Sequence, residues 1–216
     1  MKSISLKRSF ERRITMKVLI ENCFNWIGFH LTNYLLEKGM RIEGLDQINT
    51  EKKEHLSMYV GRNDRFALLE RRNNEGDDYD LTIKITEKIK NYRHNTFVSI
   101  SRRKNSMQTK RFVIDVPEMI GEWMPLDMFN VKETSIKSKQ FLNNVIHIED
   151  FLAVVYQWIK MDSLMPETIK LISSKDKIQR SMKLENYVYL RDNRSKEKDM
   201  DKILSHYKRF KYFYQN

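Results

Sequence analysis

Residues 16–46 read MKVLIENCFNWIGFHLTNYLLEKGMRIEGLD, and this stretch decides the fold class. Lys17-Val18-Leu19-Ile20 is a short β-rich run. From Trp26 to Lys38 the apolar residues Ile27, Leu31, Tyr34, Leu35 and Leu36 recur at roughly helical spacing, and Gly39 follows where a helix would end in a left-handed cap. Arg41-Ile42-Glu43-Gly44-Leu45 is a second strand, ending at Asp46. Strand, helix and strand within about 30 residues make a βαβ unit, whose right-handed crossover requires parallel strands. The expected fold is therefore α/β, a Rossmann-like parallel sheet flanked by helices.

Outward from this unit the periodicity is weaker. Strands are expected over Arg65–Glu70, Thr96–Ile100, Arg111–Val116 and Asn144–Ile148, and a basic helix over Thr82–Tyr92. Pro117 ends the third of these strands, because proline cannot donate to a central ladder. Glu149–Met161 is an apolar helix carrying Phe151, Leu152, Val154, Val155, Trp158 and Ile159, with Asp150 as a cap or first-turn acid. Two further helices are expected near 174–186 and 198–214. The chain thus divides into a basic arm (1–15), a Rossmann-like domain (16–165) and a basic C-terminal helical segment (166–216). Met16 directly precedes the first strand, so the arm is either an extension or lies upstream of the true start. With 6 Gly and 3 Pro there is no linker of recognisable composition, and no internal repeat is evident.

A chain of 216 residues can bury a full core, and 40% hydrophobic content argues against wholesale disorder. No run approaches the length of a membrane span and the basic N-terminus has no apolar core of a signal peptide, so the expected location is cytoplasmic, with no membrane span. Cys23 is the sole cysteine, which excludes an internal disulfide and a cysteine-based zinc site. The formal charge of +11 raises the odds of a polyanionic partner without choosing one. The excess is concentrated: residues 84–111 carry nine basic side chains against Glu87 alone, whereas Glu70, Glu75, Asp77, Asp78 and Asp80 make the preceding stretch acidic. Such blocks are usually solvated faces or loops.

The turn after the first strand, Glu21-Asn22-Cys23-Phe24-Asn25-Trp26-Ile27-Gly28, has the position of a dinucleotide-binding turn. That turn uses glycine three times: for the sharp bend, for backbone approach to the pyrophosphate, and for close packing of helix on strand. Only the third, Gly28, is present, and Asn22 and Asn25 stand at the first two positions. Asparagine tolerates a left-handed backbone better than other non-glycine residues, so the bend can survive. Its side chain is expected where phosphate would lie, with Phe24 and Trp26 adding bulk. Asp46, at the end of the second strand, stands where an acid would accept hydrogen bonds from a ribose. A retained site would use Asn22, Asn25, Trp26, Ile27, Gly28 and Asp46.

These segments together resemble the opening of the extended short-chain dehydrogenases, specifically the NAD-dependent epimerase/dehydratase family acting on nucleotide sugars. Thr96–Ser101, TFVSIS, is similar to that family's strand ending at its active-site serine. Phe112–Met128, FVIDVPEMIGEWMPLDM, resembles the segment carrying Pro117, Gly121, Trp123, Pro125, Asp127 and Met128 in members of the uronate-epimerase type, and Phe141–Ile159 resembles a later strand and helix with Asp150. The resemblance implies NAD as cofactor, and the two asparagines imply weak binding or none. It also implies a Tyr-x-x-x-Lys pair between the serine strand and the Pro-Gly-Trp segment, where the lysine lowers the phenol pKa so that it can act as base. Here only Arg102–Arg111 fills that interval, too short for the helix that would carry the pair. Matches by spacing at Tyr34/Lys38, Tyr156/Lys160 and Tyr207/Lys211 fall elsewhere and are read as chance.

The remaining constellations are poor. His30, His55, His94, His147 and His206 lack metal-ligand spacing, Ser99 and Ser101 have no glycine elbow, and there is no phosphate-binding loop ending in Gly-Lys-Ser/Thr. The C-terminal His206–Asn216 interleaves cations with aromatics, which suits either a helix docked by Tyr207, Phe210 and Phe213 or Tyr214, or a single-stranded nucleic-acid contact; docking is preferred. The expected function is a shortened, non-catalytic relative of the epimerase/dehydratase enzymes, with neither catalytic nor metal residues assigned. It would bind a nucleotide or nucleotide-sugar or act as a regulatory partner in polysaccharide metabolism. The alternatives are an active epimerase or dehydratase with an atypical site, working with a fuller paralogue, and a basic module for nucleic acid or an anionic surface.

Overall fold

A computed structural model of the chain describes residues 16–71, 79–90, 93–105, 108–125, 138–161, 167–173, 187–190 and 194–214. Its opening unit is β1 (Lys17–Glu21), α1 (Trp26–Glu37) and β2 (Arg41–Leu45), with β1 and β2 parallel in the register Lys17↔Arg41 to Glu21↔Leu45. Val18, Leu19 and Ile20 are buried completely, as a strand covered on both faces demands. Asn25 caps α1 by accepting from the Ile27 N–H at 3.0 Å. At the other end Gly39 has φ +82°, its N–H meets the Leu36 carbonyl and the Met40 N–H meets that of Leu35. This is a Schellman closure, and the left-handed cap expected at Gly39 is present.

The chain continues through α2 (Glu51–Val60), β3 (Phe66–Leu69), β4 (Leu81–Lys90), β5 (Arg93–Asn105), β6 (Gln108–Val116), β7 (Met119–Ile120), α3 (Lys139–Asn144), β8 (Ile146–His147), α4 (Ile148–Lys160), β9 (Thr168–Ser173), β10 (Tyr187–Leu190), α5 (Lys196–Arg209) and α6 (Lys211–Tyr214). The hydrogen-bonded order in the main sheet is β10-β9-β6-β5-β4-β1-β2-β3. The pairings of β1 with β2 and β4, β2 with β3, β6 with β9 and β9 with β10 are all parallel. Two residues separate β4 from β5 and two separate β5 from β6. A parallel crossover needs about a dozen, so β4, β5 and β6 form an antiparallel meander inside a mostly parallel sheet. The fold is α/β and Rossmann-like, as expected.

Two compact units share the chain, one holding the described residues up to Ile85 with Ser99–Arg111, the other Thr86–Val98 with the residues from Phe112 onward. In the first, β4 pairs with β1 on the side away from β2, so the strand order reverses between β1 and β4. In the second, α4 buries Phe151, Leu152, Val155, Trp158 and Ile159, and Trp158 lies edge-on to Phe112 of β6. Also in the second, α5 and α6 gather His206, Phe210, Phe213 and Tyr214 around Trp123, and the Tyr214 hydroxyl accepts from the Trp123 N–H at 2.6 Å. Phe210, Phe213 and Tyr214 are therefore docked on Trp123, while Tyr212 is exposed.

Several expectations need correction. The basic helix over Thr82–Tyr92 is strand β4: Leu81, Ile83 and Ile85 are buried while Thr82 is half-buried and Lys84 exposed, a period of two. Residues 166–216 are not purely helical, because β9 and β10 lie within them. The helix near 174–186 and the arm 1–15 fall outside the described residues. Among the described residues no helix is long and apolar enough to cross a membrane.

Candidate functional site

Open α/β sheets bind ligands at the carboxyl ends of strands where the strand order reverses, and here that place is the end of β1 beside β4. The turn leaving β1 has kept the bend without the glycines. Asn22 has φ +60°, the left-handed conformation for which asparagine substitutes, and its N–H bonds to the Leu45 carbonyl. Its side chain swings across to donate from Nδ2 to the Ile85 carbonyl of β4 at 2.7 Å. Asn25 is not left-handed: with φ −57° and ψ 147° it serves as the cap of α1. Gly28 performs the third glycine's task, since a Cβ there would sit 2.3 Å from the Asn22 carbonyl oxygen.

Neither bulky residue lies open over the turn. Phe24 is buried edge-on against Phe66, and Trp26 is buried edge-on to His30, one helical turn along α1. Ile27 is buried and spends its N–H on Asn25. Asp46 is turned inward, its side chain 2% exposed. One carboxylate oxygen accepts the Phe24 N–H at 2.8 Å; the other accepts the Gln47 N–H at 2.8 Å and pairs with Lys53 Nζ at 2.6 Å. The carboxylate takes up the Phe24 and Gln47 amides, and its charge is matched by Lys53. Burial, then the Asp46 carboxylate, hold the Cys23 thiol well above its ordinary range, so it stays protonated. The donors a pyrophosphate would need are in part consumed within the turn, and these residues do not fit a dinucleotide.

Alongside is a groove of about 490 Å³ on one face of the sheet. Thr82 and Lys84 reach it from β4, Ser99, Ser101 and Arg103 from β5, Thr109 and Arg111 from β6, with Glu21 and Tyr79 at its borders. The alternation of each strand puts these residues on one face while Leu81, Ile83, Ile85, Val98 and Ile100 are buried on the other. Arg111 Nε donates to the Ser99 hydroxyl at 3.0 Å, and Lys84 Nζ pairs with Glu21 at 3.1 Å. The groove thus gathers three cations, one carboxylate and four aliphatic hydroxyls.

Tyr79 and Lys84 both border the groove near Ser101, yet they are separately engaged. The Tyr79 hydroxyl donates to Glu43, which also pairs with Lys17 at 2.9 Å, and Lys17 Nζ lies 4.5 Å from the centre of the Tyr79 ring. Burial pushes the Glu43 carboxyl up, but the bonds from Tyr79 and Lys17 outweigh it and leave the group below its ordinary value. A phenol whose proton is committed to a carboxylate, beside a lysine already paired with that carboxylate, is not the arrangement of a tyrosinate base. Tyr34/Lys38 and Tyr156/Lys160 are local pairs with the ammonium over the ring, 4.8 and 5.5 Å from the ring centres. Among the described residues no group of three His, Cys, Asp or Glu side chains could hold a metal ion.

The sequence placed Asn22, Asn25, Trp26, Ile27 and Gly28 at the turn after the first strand and Asp46 at the end of the second, and the structure has Asp46 just past β2 accepting from Phe24 of that turn. It singled out Lys84, Arg103 and Arg111 within the basic cluster 84–111 but not their grouping with Thr82 and Thr109 on one face, nor Lys53 beside Asp46. The further signal was the alternation of hydroxyl and basic residues with aliphatic ones between 82 and 111. No family model, curated protein or solved structure matches the chain.

Proposed function

We propose that this protein is a non-catalytic relative of the NAD-dependent epimerase/dehydratase enzymes that binds a nucleotide or nucleotide-sugar, as a binding or regulatory component of polysaccharide metabolism in the cytoplasm. The observation that carries this reading is the groove beside the β1 turn, lined by hydroxyl and charged side chains including Ser101. In it Tyr79 and Lys84 are engaged by Glu43 and Glu21 respectively and so form no tyrosine–lysine base among the described residues. Its volume falls in the range of sites for small ligands. The succession of β5 and β6 with only two residues between them supports the loss of the helix that would carry the base. The inward Asp46 and the spent amides of Phe24 and Ile27 favour weak NAD binding or none. A nucleic-acid role is less favoured, because Phe210, Phe213 and Tyr214 are engaged around Trp123 rather than offered for stacking.

Calorimetric titration with UDP, UDP-glucose, UDP-glucuronate, NAD and NADH tests the reading. Saturable binding of the uridine nucleotides, with NAD and NADH weaker, is the expected result. Silence from every uridine nucleotide would overturn it.

A further inference from the structure

A solvated strand face on an ordinary protein mixes both signs of charge, since that keeps it soluble without focusing a field. The groove face departs from this. Between Thr82 and Arg111 its lining from β4, β5 and β6 is hydroxyl or cationic, and among the described residues the one carboxylate in it comes from Glu21 on β1. Three positive side chains against one negative one call for a ligand carrying about two negative charges, which is the charge of a phosphate or diphosphate group near neutral pH.

The geometry also says how such a group would be held. Ser99 is nine-tenths buried and fixes Arg111 through Nε, which orients the planar guanidinium. Arginine recognises phosphate through paired N–H donors, so fixing one nitrogen sets the approach of the rest. Lys84 is paired only with Glu21 among the described residues, and its side chain is 55% exposed. An ion pair that open is weak, so an incoming dianion can take over the ammonium at small cost. The neighbouring hydroxyls of Ser101, Thr82 and Thr109 can donate to further oxygens.

We propose that the groove is an anion seat for a phosphate or diphosphate group, with Arg111 as its principal contact and Lys84 and Arg103 flanking it. This deepens the nucleotide-binding reading and rests on it for the identity of the group's carrier. It differs from a dinucleotide site in using the sheet face rather than the amides of the β1 turn.

The full chain is titrated with inorganic pyrophosphate, uridine and UDP, then with the variants Arg111→Ala, Lys84→Ala, Arg111→Lys and Asp46→Ala, each checked for native melting. Pyrophosphate should bind and compete with UDP, and uridine should bind far more weakly than UDP. Arg111→Ala and Lys84→Ala should each weaken pyrophosphate by about tenfold or more, the scale of one charged hydrogen bond. Arg111→Lys should recover part of the loss, folded Asp46→Ala should bind like the parent, and affinity should fall with added salt. If pyrophosphate binds in the groove but UDP does not, the seat stands and the nucleotide reading falls. If UDP binds with no competition from pyrophosphate and no change in Arg111→Ala, the nucleotide reading stands and the seat falls. Tighter pyrophosphate binding in Asp46→Ala together with unchanged binding in Arg111→Ala would move the anion to the turn and overturn the seat, as would no pyrophosphate binding at all.

Discussion

At Gly28 the demand is spatial: the nearest atom to an added Cβ is backbone, the Asn22 carbonyl oxygen, and backbone cannot rotate aside as a side chain can. Gly28→Ala should cost about 1–3 kcal/mol of stability, the usual range for overpacking, measured as a lowered urea midpoint at constant slope. At Asn22 two effects combine, the left-handed backbone and the side-chain bond to Ile85. Replacement by alanine meets both, with about 1–2 kcal/mol from the backbone alone. Asn22→Gly loses only the bond, so its midpoint should lie between those of the parent and Asn22→Ala. Equal losses in the two variants would mean that the bond, not the backbone, dominates.

Among the elements, α4 carries the clearest pH signature. His147 caps it by accepting the Glu149 N–H on Nδ1 at 3.3 Å, a role that requires an unprotonated nitrogen. Burial and then the Arg194 cation lower its pKa, against the pull of Asp199 and Glu149, with Lys202 also lowering it. A histidine depressed in the folded state contributes stability that is present above its unfolded value, about 6.5, and is lost as pH falls toward the folded value. Thermal melts should therefore decline from pH 7 to 5, and His147→Asn, which caps without titrating, should flatten that slope; an unchanged slope would contradict the assignment. Asp199 does not mask this window. Burial raises its carboxyl, but the bond from Arg194 and the charges around it win, so its contribution fades only below the ordinary carboxylate range. The elements also differ in how far the sequence betrayed them. β1, α1 and β2 were legible because each has one period and a capping residue at its boundary. Residues 82–92 misled because lysines and glutamate suggest an exposed helix, although Thr82, Ile83, Ile85 and Thr86 are β-branched and alternate in burial. The groove was illegible because its residues meet only through the pairing of three strands, which no local pattern states. Asp46 was placed correctly but its direction was not, since that depends on Lys53 one helix further on.

At the scale of the whole molecule, the proposed function sets an α/β frame beside the absence of a tyrosine–lysine base among the described residues. The frame is seen in the parallel pairing of β1, β2, β3 and β4 and in the close approach at Gly28. The proposal that the base has been lost rests on the short passage from β5 into β6 and on the engagement of Tyr79 by Glu43. The net charge of +11 adds a general attraction for anions, so specificity has to come from the groove rather than from the field of the molecule. Proton NMR of the full chain with UDP-glucuronate and NAD reads binding and chemistry in one sample. Saturation transfer to the nucleotide with no epimer, decarboxylated sugar or NADH after prolonged incubation is the predicted result; appearance of any of these products would contradict the account.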